Sequence, residues 1–188
     1  MGFKDWKRCL EALRETGKPF QFCQGLDERI LTPEKCKLLF SSKYDGYIRF
    51  VFDNVKDKDL IVEKLHLIKE YTDKELLFYV LCGYDRTNKY DLNFWRQDIL
   101  NAFIRISILR EYGHLPYIMR YNKYIESPYR QMYVALARWC NQHGIFRNFS
   151  FSGFCERDNE YTKKEGACMR SLNLCLKEIP EIRSFVDL

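Results

Sequence analysis

The sequence lacks the short motifs that mark several common catalytic and metal-binding sites. Its eight cysteines, at positions 9, 23, 36, 82, 140, 155, 168 and 175, include no CxxC pair. Its three histidines are not spaced as metal ligands are. It also has no glycine-rich phosphate loop and no GxSxG nucleophile motif. These absences argue against a zinc-ribbon site, a P-loop NTPase and a serine hydrolase.

Long apolar runs and blocks of one charge are missing as well. No apolar run is long enough to span a membrane, and Met1–Asp5 leads into an amphipathic stretch that differs from a signal peptide. The net charge is +5 and the pI about 8.7, but the basic residues are spread along the chain, so nucleic acid is not an expected partner. We therefore expect a cytoplasmic protein whose cysteines are free thiols. Four of them lie in predicted strands or helices and are expected to be buried as small apolar side chains: Cys23, Cys36, Cys82 and Cys140.

Four segments of the chain repeat one plan, in which an apolar run is followed by polar residues and then by a helix. The runs lie in Phe20–Arg29, where the strand is Phe20–Cys23, and in Tyr47–Asn54, Glu75–Asp85 and Leu115–Lys123. Strands that alternate with helical patterns indicate parallel strands joined by helical crossovers. The sequence therefore predicts an α/β fold in which four parallel βα units form half of a TIM-like barrel.

The helices of this plan follow from apolar periodicity and from capping residues. They are predicted over Phe3–Thr16, from Thr32-Pro33, after Asp57, over Leu92–Tyr112 and over Tyr129–Gln142. The third strand, Leu76–Leu81, is continuously apolar, which is typical of a strand covered on both faces.

The C-terminal part of the sequence carries weaker signals. Phe146–Cys155 is expected to be irregular, Asp158–Gly166 to be a polar linker, and Leu172–Val186 to hold a helical pattern broken at Pro180. We therefore divide the chain into a barrel domain, residues 1–157, and a helical or irregular tail, residues 158–188, with a linker and a short helix.

Polar residues follow each predicted strand. In folds of parallel strands the functional residues sit at the carboxyl ends of the strands, on the loops that lead into the helices. One rim of the sheet is therefore expected to collect these side chains: Asp27, Arg29, Asp53, Asn54, Asp85, Arg120 and Asn122.

Four stretches in this order and spacing resemble the C-terminal half of a radical S-adenosylmethionine (radical SAM) domain, in a bacterial or phage-associated branch of that superfamily. They are QGLDER with its TPEKCKLL helix, IRFVFDN, LLFYVLCGYD, and PYIMRYNKY followed by LARWCNQ. The likeness runs from about residue 3 to residue 155. It implies a partial βα barrel that holds S-adenosylmethionine and a [4Fe–4S] cluster. The cluster loop of the family, CxxxCxxC, is not in this sequence, so the resemblance implies that the first three strands and the cluster ligands lie outside this chain.

The resemblance also suggests roles for residues at the rim. Cofactor contacts would come from the first three strands, through Gln24, Asp27, Arg29, Asp53, Asn54 and Gly83. The substrate end would be formed by Met119, Arg120, Tyr121 and Asn122. Simpler accounts stay open for three of these positions: an Asp27–Arg29 salt bridge that shapes the turn, a strand-to-helix turn at Asp53-Asn54, and a turn glycine at Gly83.

Two functions from different classes follow from these observations. In the first, the chain is the S-adenosylmethionine- and substrate-binding half of a radical SAM enzyme and is inactive by itself, so that another chain supplies the missing N-terminal half. In the second, it is a non-catalytic half-barrel whose strand edges and apolar face serve self-association, as a homodimer, or the binding of a partner protein.

Overall fold

A computed structural model describes residues 4–162 and 165–188 of the chain. Its three strands are β1 (Arg49–Val51), β2 (Leu77–Cys82) and β3 (Leu115–Arg120). The eight α-helices in these residues are α1 (Trp6–Glu15), α2 (Pro33–Phe40), α3 (Lys58–Lys69), α4 (Leu92–Glu111), α5 (Arg130–Cys140), α6 (His143–Asn148), α7 (Phe151–Thr162) and α8 (Ala167–Glu178). Short 3₁₀ turns connect several of these elements.

The strands form one parallel sheet in the order β1-β2-β3, so the chain adds each new strand beside the previous one. The register aligns Phe50 with Phe78 and Tyr79 with Tyr117. Long crossover helices join consecutive strands, as the alternating sequence pattern predicts. The α/β class and the parallel direction are confirmed.

The predicted first strand, Phe20–Cys23, is not a strand in the structure, so the sheet has three strands where the sequence predicts four. Phe20 makes an isolated bridge to Tyr44, ahead of β1, and Leu26, beyond the predicted strand, makes another to Phe50 in β1. Between them, the Phe22 N–H donates to the Tyr44 hydroxyl at 2.7 Å. A side chain therefore takes the place that a backbone partner would have in a continuous ladder.

The two faces of the sheet have different surroundings. On one face Phe50, Phe78, Val80 and Ile118 are buried beneath the helices. On the other face Tyr117 is 39% exposed, and Leu77, Tyr79 and Leu81 of β2 line an open groove. The prediction that β2 is covered on both faces is therefore wrong, since its alternate residues line an open groove.

The core lies between the sheet and the helices that follow it. α4 packs against β2 and β3, α5 packs against β3, and α8 packs against α5. Trp139 is buried here, and its indole N–H donates to the Phe149 carbonyl at 3.0 Å. Through α8, residues of the C-terminal part join this core, among them Leu172 and Cys175.

Phe146–Cys155, predicted to be irregular, lies mainly in α6 and α7. Ser150 begins α7, because its Oγ accepts from the Gly153 N–H at 3.1 Å, as an N-cap does. Phe151 and Phe154 then bury one helical face in the core. The predicted linker Asp158–Gly166 overlaps the end of α7, and its residues 163 and 164 lie outside the described part of the chain. The predicted start of the first helix, at Phe3, also lies outside the described residues.

Other helix ends match the capping signals. The Thr32 side chain accepts from the Lys35 N–H, with Pro33 in the first turn of α2, and the Asp91 side chain caps α4. Gly113, at φ 72°, follows the end of α4. None of the helices in the described ranges combines the length and the apolar character needed to cross a membrane.

Candidate functional site

A groove of about 690 Å³ runs along the open face of the sheet. Its floor consists of alternate residues of the three strands, because side chains one position apart point to opposite faces. Residues ahead of β1, Asn141 after α5 and His143 at the start of α6 form its walls. The side chains that line the groove are those of Cys23, Gln24, Tyr47, Arg49, Val51, Asp53, Leu77, Tyr79, Leu81, Tyr117, Met119, Asn141 and His143.

Gly25 allows one wall of the groove to lie close to the sheet. A Cβ at this position would stand 2.5 Å from Val51 Cγ2 and 3.0 Å from Tyr79 Cδ2. The neighbouring Leu26 N–H donates to the Arg49 carbonyl at 2.7 Å, which holds the segment beside β1. The absence of a side chain at Gly25 therefore brings Cys23 and Gln24 to the groove.

The groove combines aromatic faces with a few polar groups. Tyr79 and Tyr117, on neighbouring strands, pack edge to face with ring centroids 5.7 Å apart. Arg49 donates one hydrogen bond to the Phe22 carbonyl at 3.4 Å and is half-buried. His143 packs edge to face on Tyr47, and burial, followed by the nearby Arg147 charge, lowers its pKa. This mixture suits a planar ligand with polar substituents.

Asp53 stands at the carboxyl end of β1 and links it to β2. Its Oδ1 accepts from the Leu81 N–H at 2.9 Å, and partial burial raises its pKa above the ordinary value. Asn54 accepts from the Lys56 N–H at 3.0 Å and begins a 3₁₀ turn. Both residues thus make the strand-to-helix turn that the sequence allows, and Asp53 also lines the groove.

Asp27 and Arg29 form the salt bridge that the sequence leaves open. Arg29 Nε and Nη2 donate to the two Asp27 oxygens at 2.8 and 2.9 Å, and Nη1 donates to Asp57 at 3.0 Å. The side-chain hydrogen bond from Arg29 lowers the pKa of Asp27. All three guanidinium nitrogens of Arg29 are therefore engaged with carboxylates of the turn.

Glu28, between these two residues, is a functional candidate that sequence reasoning missed. It is 1% exposed, and its Oε2 accepts from the Val51 N–H at 3.2 Å on the outer edge of β1. Burial raises its pKa to about 7. It lines a cavity of about 270 Å³ together with Asp27, Arg29, Asn54 and Asp57. Within QGLDER nothing distinguishes the inward carboxylate from its charged neighbours.

Arg105 holds the carboxyl ends of β1 and β2 together from below. It is 1% exposed, although it lies in the middle of a helix. Its Nη1 donates to the carbonyls of Phe52, Asp53 and Leu81, each at 3.0 Å, and its Nη2 lies 3.8 Å from the Cys82 sulfur. A single arginine in an amphipathic helix is normally predicted to lie on the surface. The sequence therefore gives no signal that Arg105 is buried and binds the strand-end carbonyls.

Gly83 is the turn glycine that the simpler account predicts. Its φ is 75°, and its N–H donates to Asp98 Oδ2 at 2.7 Å. The same oxygen accepts from the Tyr133 hydroxyl at 2.7 Å. A Cβ on Gly83 would meet the Tyr124 Cβ at 3.2 Å. The backbone here is fixed by packing, and Gly83 is not among the residues that line the groove.

Of the four residues proposed for the substrate end, Met119 lines the groove, whereas Arg120, Tyr121 and Asn122 do not. The Arg120 guanidinium lies 4.7 Å from the Tyr124 ring centroid, and Tyr121 packs edge to face on Tyr84 at 5.0 Å. Asn122 begins an exposed 3₁₀ turn. Alternation along β3 explains the difference, since the groove receives Tyr117 and Met119 and the opposite direction receives Arg120.

The candidate residues thus fall into separate places. Gln24 and Asp53 share the groove, while Asp27, Arg29 and Asn54 share the neighbouring cavity with Asp53 at its border. In the ranges that the structure describes, no three His, Cys, Asp or Glu side chains come together as metal ligands. Six of the eight cysteines are buried, and Cys9 and Cys23 are exposed.

Comparison with known proteins returned no match: no family model fits the chain, and no curated protein or solved structure is similar to it.

Proposed function

We propose that the chain is the ligand-binding half of a βα barrel and that it takes S-adenosylmethionine, or a substrate of similar shape, in the groove on its open sheet face. In this proposal a separate polypeptide supplies the reaction chemistry. The observation that carries it is the groove itself. A volume of about 690 Å³ lined by Tyr47, Tyr79 and Tyr117 together with Arg49 and Asp53 is a binding surface rather than a packed core.

The donor set of the groove fits the parts of S-adenosylmethionine. The tyrosine rings offer faces on which an adenine can stack, and Gln24 offers an amide for its edge. Asp53 has one carboxylate oxygen beyond the one that binds Leu81, and this oxygen suits ribose hydroxyls. The bound cofactor would supply a reactive sulfonium centre.

Arg49 replaces Arg29 as the residue that we assign to the cofactor carboxylate. The Arg29 donors are taken by Asp27 and Asp57, whereas Arg49 makes one long hydrogen bond to a backbone carbonyl. Arg49 is also the one arginine or lysine among the described residues that line the groove. A guanidinium can then bind the carboxylate by a two-pronged contact.

Isothermal titration calorimetry of S-adenosylmethionine into the purified chain tests this proposal. We expect saturable binding that Arg49→Ala weakens at least about tenfold, a loss typical of a charge-assisted contact. Arg183→Ala, at an exposed position away from the groove, is the matched control and should bind as the wild type does. Arg29→Ala tests the alternative assignment. Absence of binding by the wild-type chain, or equal binding by Arg49→Ala, would overturn the proposal.

A second candidate, partner binding by a non-catalytic half-barrel, is favoured by the apolar part of the same face. Tyr117 is 39% exposed and Met119 44% exposed, and together they form an uncovered edge of the groove. Light scattering at micromolar concentration tests self-association through this face. A dimer that Met119→Lys dissociates would favour the second candidate, and a monomer would count against it.

A further inference from the structure

A second cavity, which we call the rim pocket, lies at the carboxyl ends of β1 and β2. It has a volume of about 360 Å³ and is lined by the turn after β1, the loop after β2 and the first half of α4. The side chains that matter for its chemistry are Asn54, Tyr84, Arg86, Phe94, Gln97 and Asn101. It shares Asp53 with the groove, and Asp53 and Asn54 also line the cavity at Glu28. Sites at the carboxyl ends of parallel strands are common places for ligands.

Aromatic rings in the rim pocket are held in place by neighbouring rings. Tyr84 is 48% exposed and packs edge to face on Tyr121, with ring centroids 5.0 Å apart. Phe94 packs edge to face on Tyr90 at 5.3 Å and on Trp95 at 4.8 Å. Such rings offer flat surfaces with little freedom left to lose, which favours a planar ligand.

A pair of amides presents a donor beside an acceptor. Gln97 and Asn101 stand one helical turn apart on α4, and Gln97 Nε2 donates to Asn101 Oδ1 at 3.0 Å. In the described part of the chain, no other side-chain hydrogen bond uses Gln97 Oε1 or Asn101 Nδ2. An acceptor next to a donor complements the hydrogen-bonding edge of a nucleobase.

The rim pocket has a positive charge at its mouth and carboxylates at its floor. Arg86 is exposed on the loop after β2, and no carboxylate in the described residues lies within salt-bridge distance of it. At the floor, Asp53 and Asp98 each accept a backbone N–H, and the buried Arg105 offsets their charge. Arg86 can therefore bind an anionic group of a ligand at the mouth of the pocket, and Asp53 and Asp98 can accept hydrogen bonds from its hydroxyl or amino groups at the floor.

We propose that the rim pocket binds a nucleotide. The base stacks on Tyr84 and Phe94 and is hydrogen-bonded by Gln97 and Asn101, and the phosphate is bound by Arg86. The same unit occurs free in solution and within single-stranded nucleic acid, and the chemistry of the pocket is shared by both. The proposal does not depend on the groove, because Arg86, Gln97 and Asn101 are not groove residues.

Titration of ribonucleoside 5′-monophosphates into the full chain, followed by calorimetry, tests this proposal. We expect binding of at least one monophosphate, and we expect Arg86→Ala to weaken it about tenfold or more while Arg183→Ala leaves it unchanged. The corresponding nucleoside, which has no phosphate, should bind equally to the wild type and to Arg86→Ala. Gln97→Leu should weaken nucleotide and nucleoside alike, since it removes a base contact.

Two further measurements are needed. One distinguishes free nucleotides from single-stranded nucleic acid as the ligand, and the other distinguishes the rim pocket from the groove. A six-nucleotide single strand that binds tighter than the monophosphate, with a steep salt dependence, would assign the pocket to nucleic acid. Equal affinity would assign it to free nucleotides. Arg49→Ala, which changes the groove and not the rim pocket, should leave nucleotide binding unchanged. The proposal is overturned if no monophosphate and no oligonucleotide binds, or if binding ignores both Arg86→Ala and Gln97→Leu.

Discussion

The side-chain amide of Asn141 binds the backbone of Ile118 on both of its polar groups. Asn141 Oδ1 accepts from the Ile118 N–H at 2.7 Å, and Asn141 Nδ2 donates to the Ile118 carbonyl at 3.2 Å. One side chain thus takes the place of a further strand along the free edge of β3. On the opposite edge of the sheet, Glu28 does the same for the Val51 N–H. At these positions side chains of the chain itself satisfy the backbone groups of the sheet edges, while the open face of the sheet carries the groove.

Removal of the Asn141 amide should destabilise the sheet. Asn141→Ala leaves two backbone groups of Ile118 without their partner, and we expect the free energy of unfolding to fall by about 1–3 kcal/mol. Asn148→Ala is the control, since that exposed amide binds only the Gly144 carbonyl of its own helix. Urea unfolding followed by circular dichroism measures both. Equal losses in the two variants would refute the edge-capping role.

Arg105 should be among the most sensitive positions in the chain. Arg105→Met removes the donor for three carbonyls at the strand ends, and we expect a loss of about 3–5 kcal/mol. Arg105→Lys keeps the charge, but a single ammonium cannot reproduce the fork, so most of the loss should remain. Chemical unfolding compared with Arg183→Met measures the effect. A loss in Arg105→Met no larger than that of this surface control would contradict the account.

Glu28 should make stability depend on pH. In the unfolded chain its carboxyl loses the proton near its ordinary pKa of 4.5, whereas burial keeps the proton on the folded protein up to a pKa of about 7. The folded state therefore binds more protons between these values, and the contribution of Glu28 to stability falls as the pH rises from 4.5 to 7.

Glu28→Gln should remove this dependence. The amide oxygen still accepts from Val51 and carries no charge, so the variant should gain stability over the wild type as the pH rises, by up to about 3 kcal/mol at pH 8. Unfolding of both proteins at pH 5 and pH 8 gives the difference, in which the other titrating groups cancel. These include His114, whose pKa burial lowers to about 4. Glu181→Gln, at an exposed position, is the control. The prediction is wrong if the difference in unfolding free energy between Glu28→Gln and the wild type is the same at pH 5 and pH 8.

Two glycine substitutions should have opposite effects. Gly25→Ala places a Cβ 2.5 Å from Val51 Cγ2, which forces the groove wall away from β1, and we expect a loss of about 1–3 kcal/mol. Gly144→Ala meets no atom within 4 Å inside α6 and should stabilise the protein by up to about 1 kcal/mol. Thermal unfolding of both variants tests the pair. A Gly25→Ala protein as stable as the wild type would show that the wall is not closely packed.

Local signals in the sequence were enough to place most of the elements. The Thr32-Pro33 start of α2, the Asp91 cap of α4 and the glycine after α4 depend on residues within one turn of the element that they bound. The apolar runs of β2 and β3 likewise identified strands without reference to the rest of the chain. The failure at Phe20–Cys23 has a distant cause, since the Tyr44 hydroxyl, remote in sequence, takes the hydrogen bond of Phe22.

The amino-acid sequence by itself determined the α/β class, the parallel direction of the strands and the rim as the place of Asp53 and Asn54, because periodicity and chain order act locally. Only the tertiary structure decided which side chains face inward. Arg105 and Glu28 are buried because the carbonyls and the N–H that they satisfy lie on strands at least 23 residues away in the chain. The groove, too, exists only because the helices of the described residues cover one face of the sheet and leave Tyr79 and Tyr117 on the other.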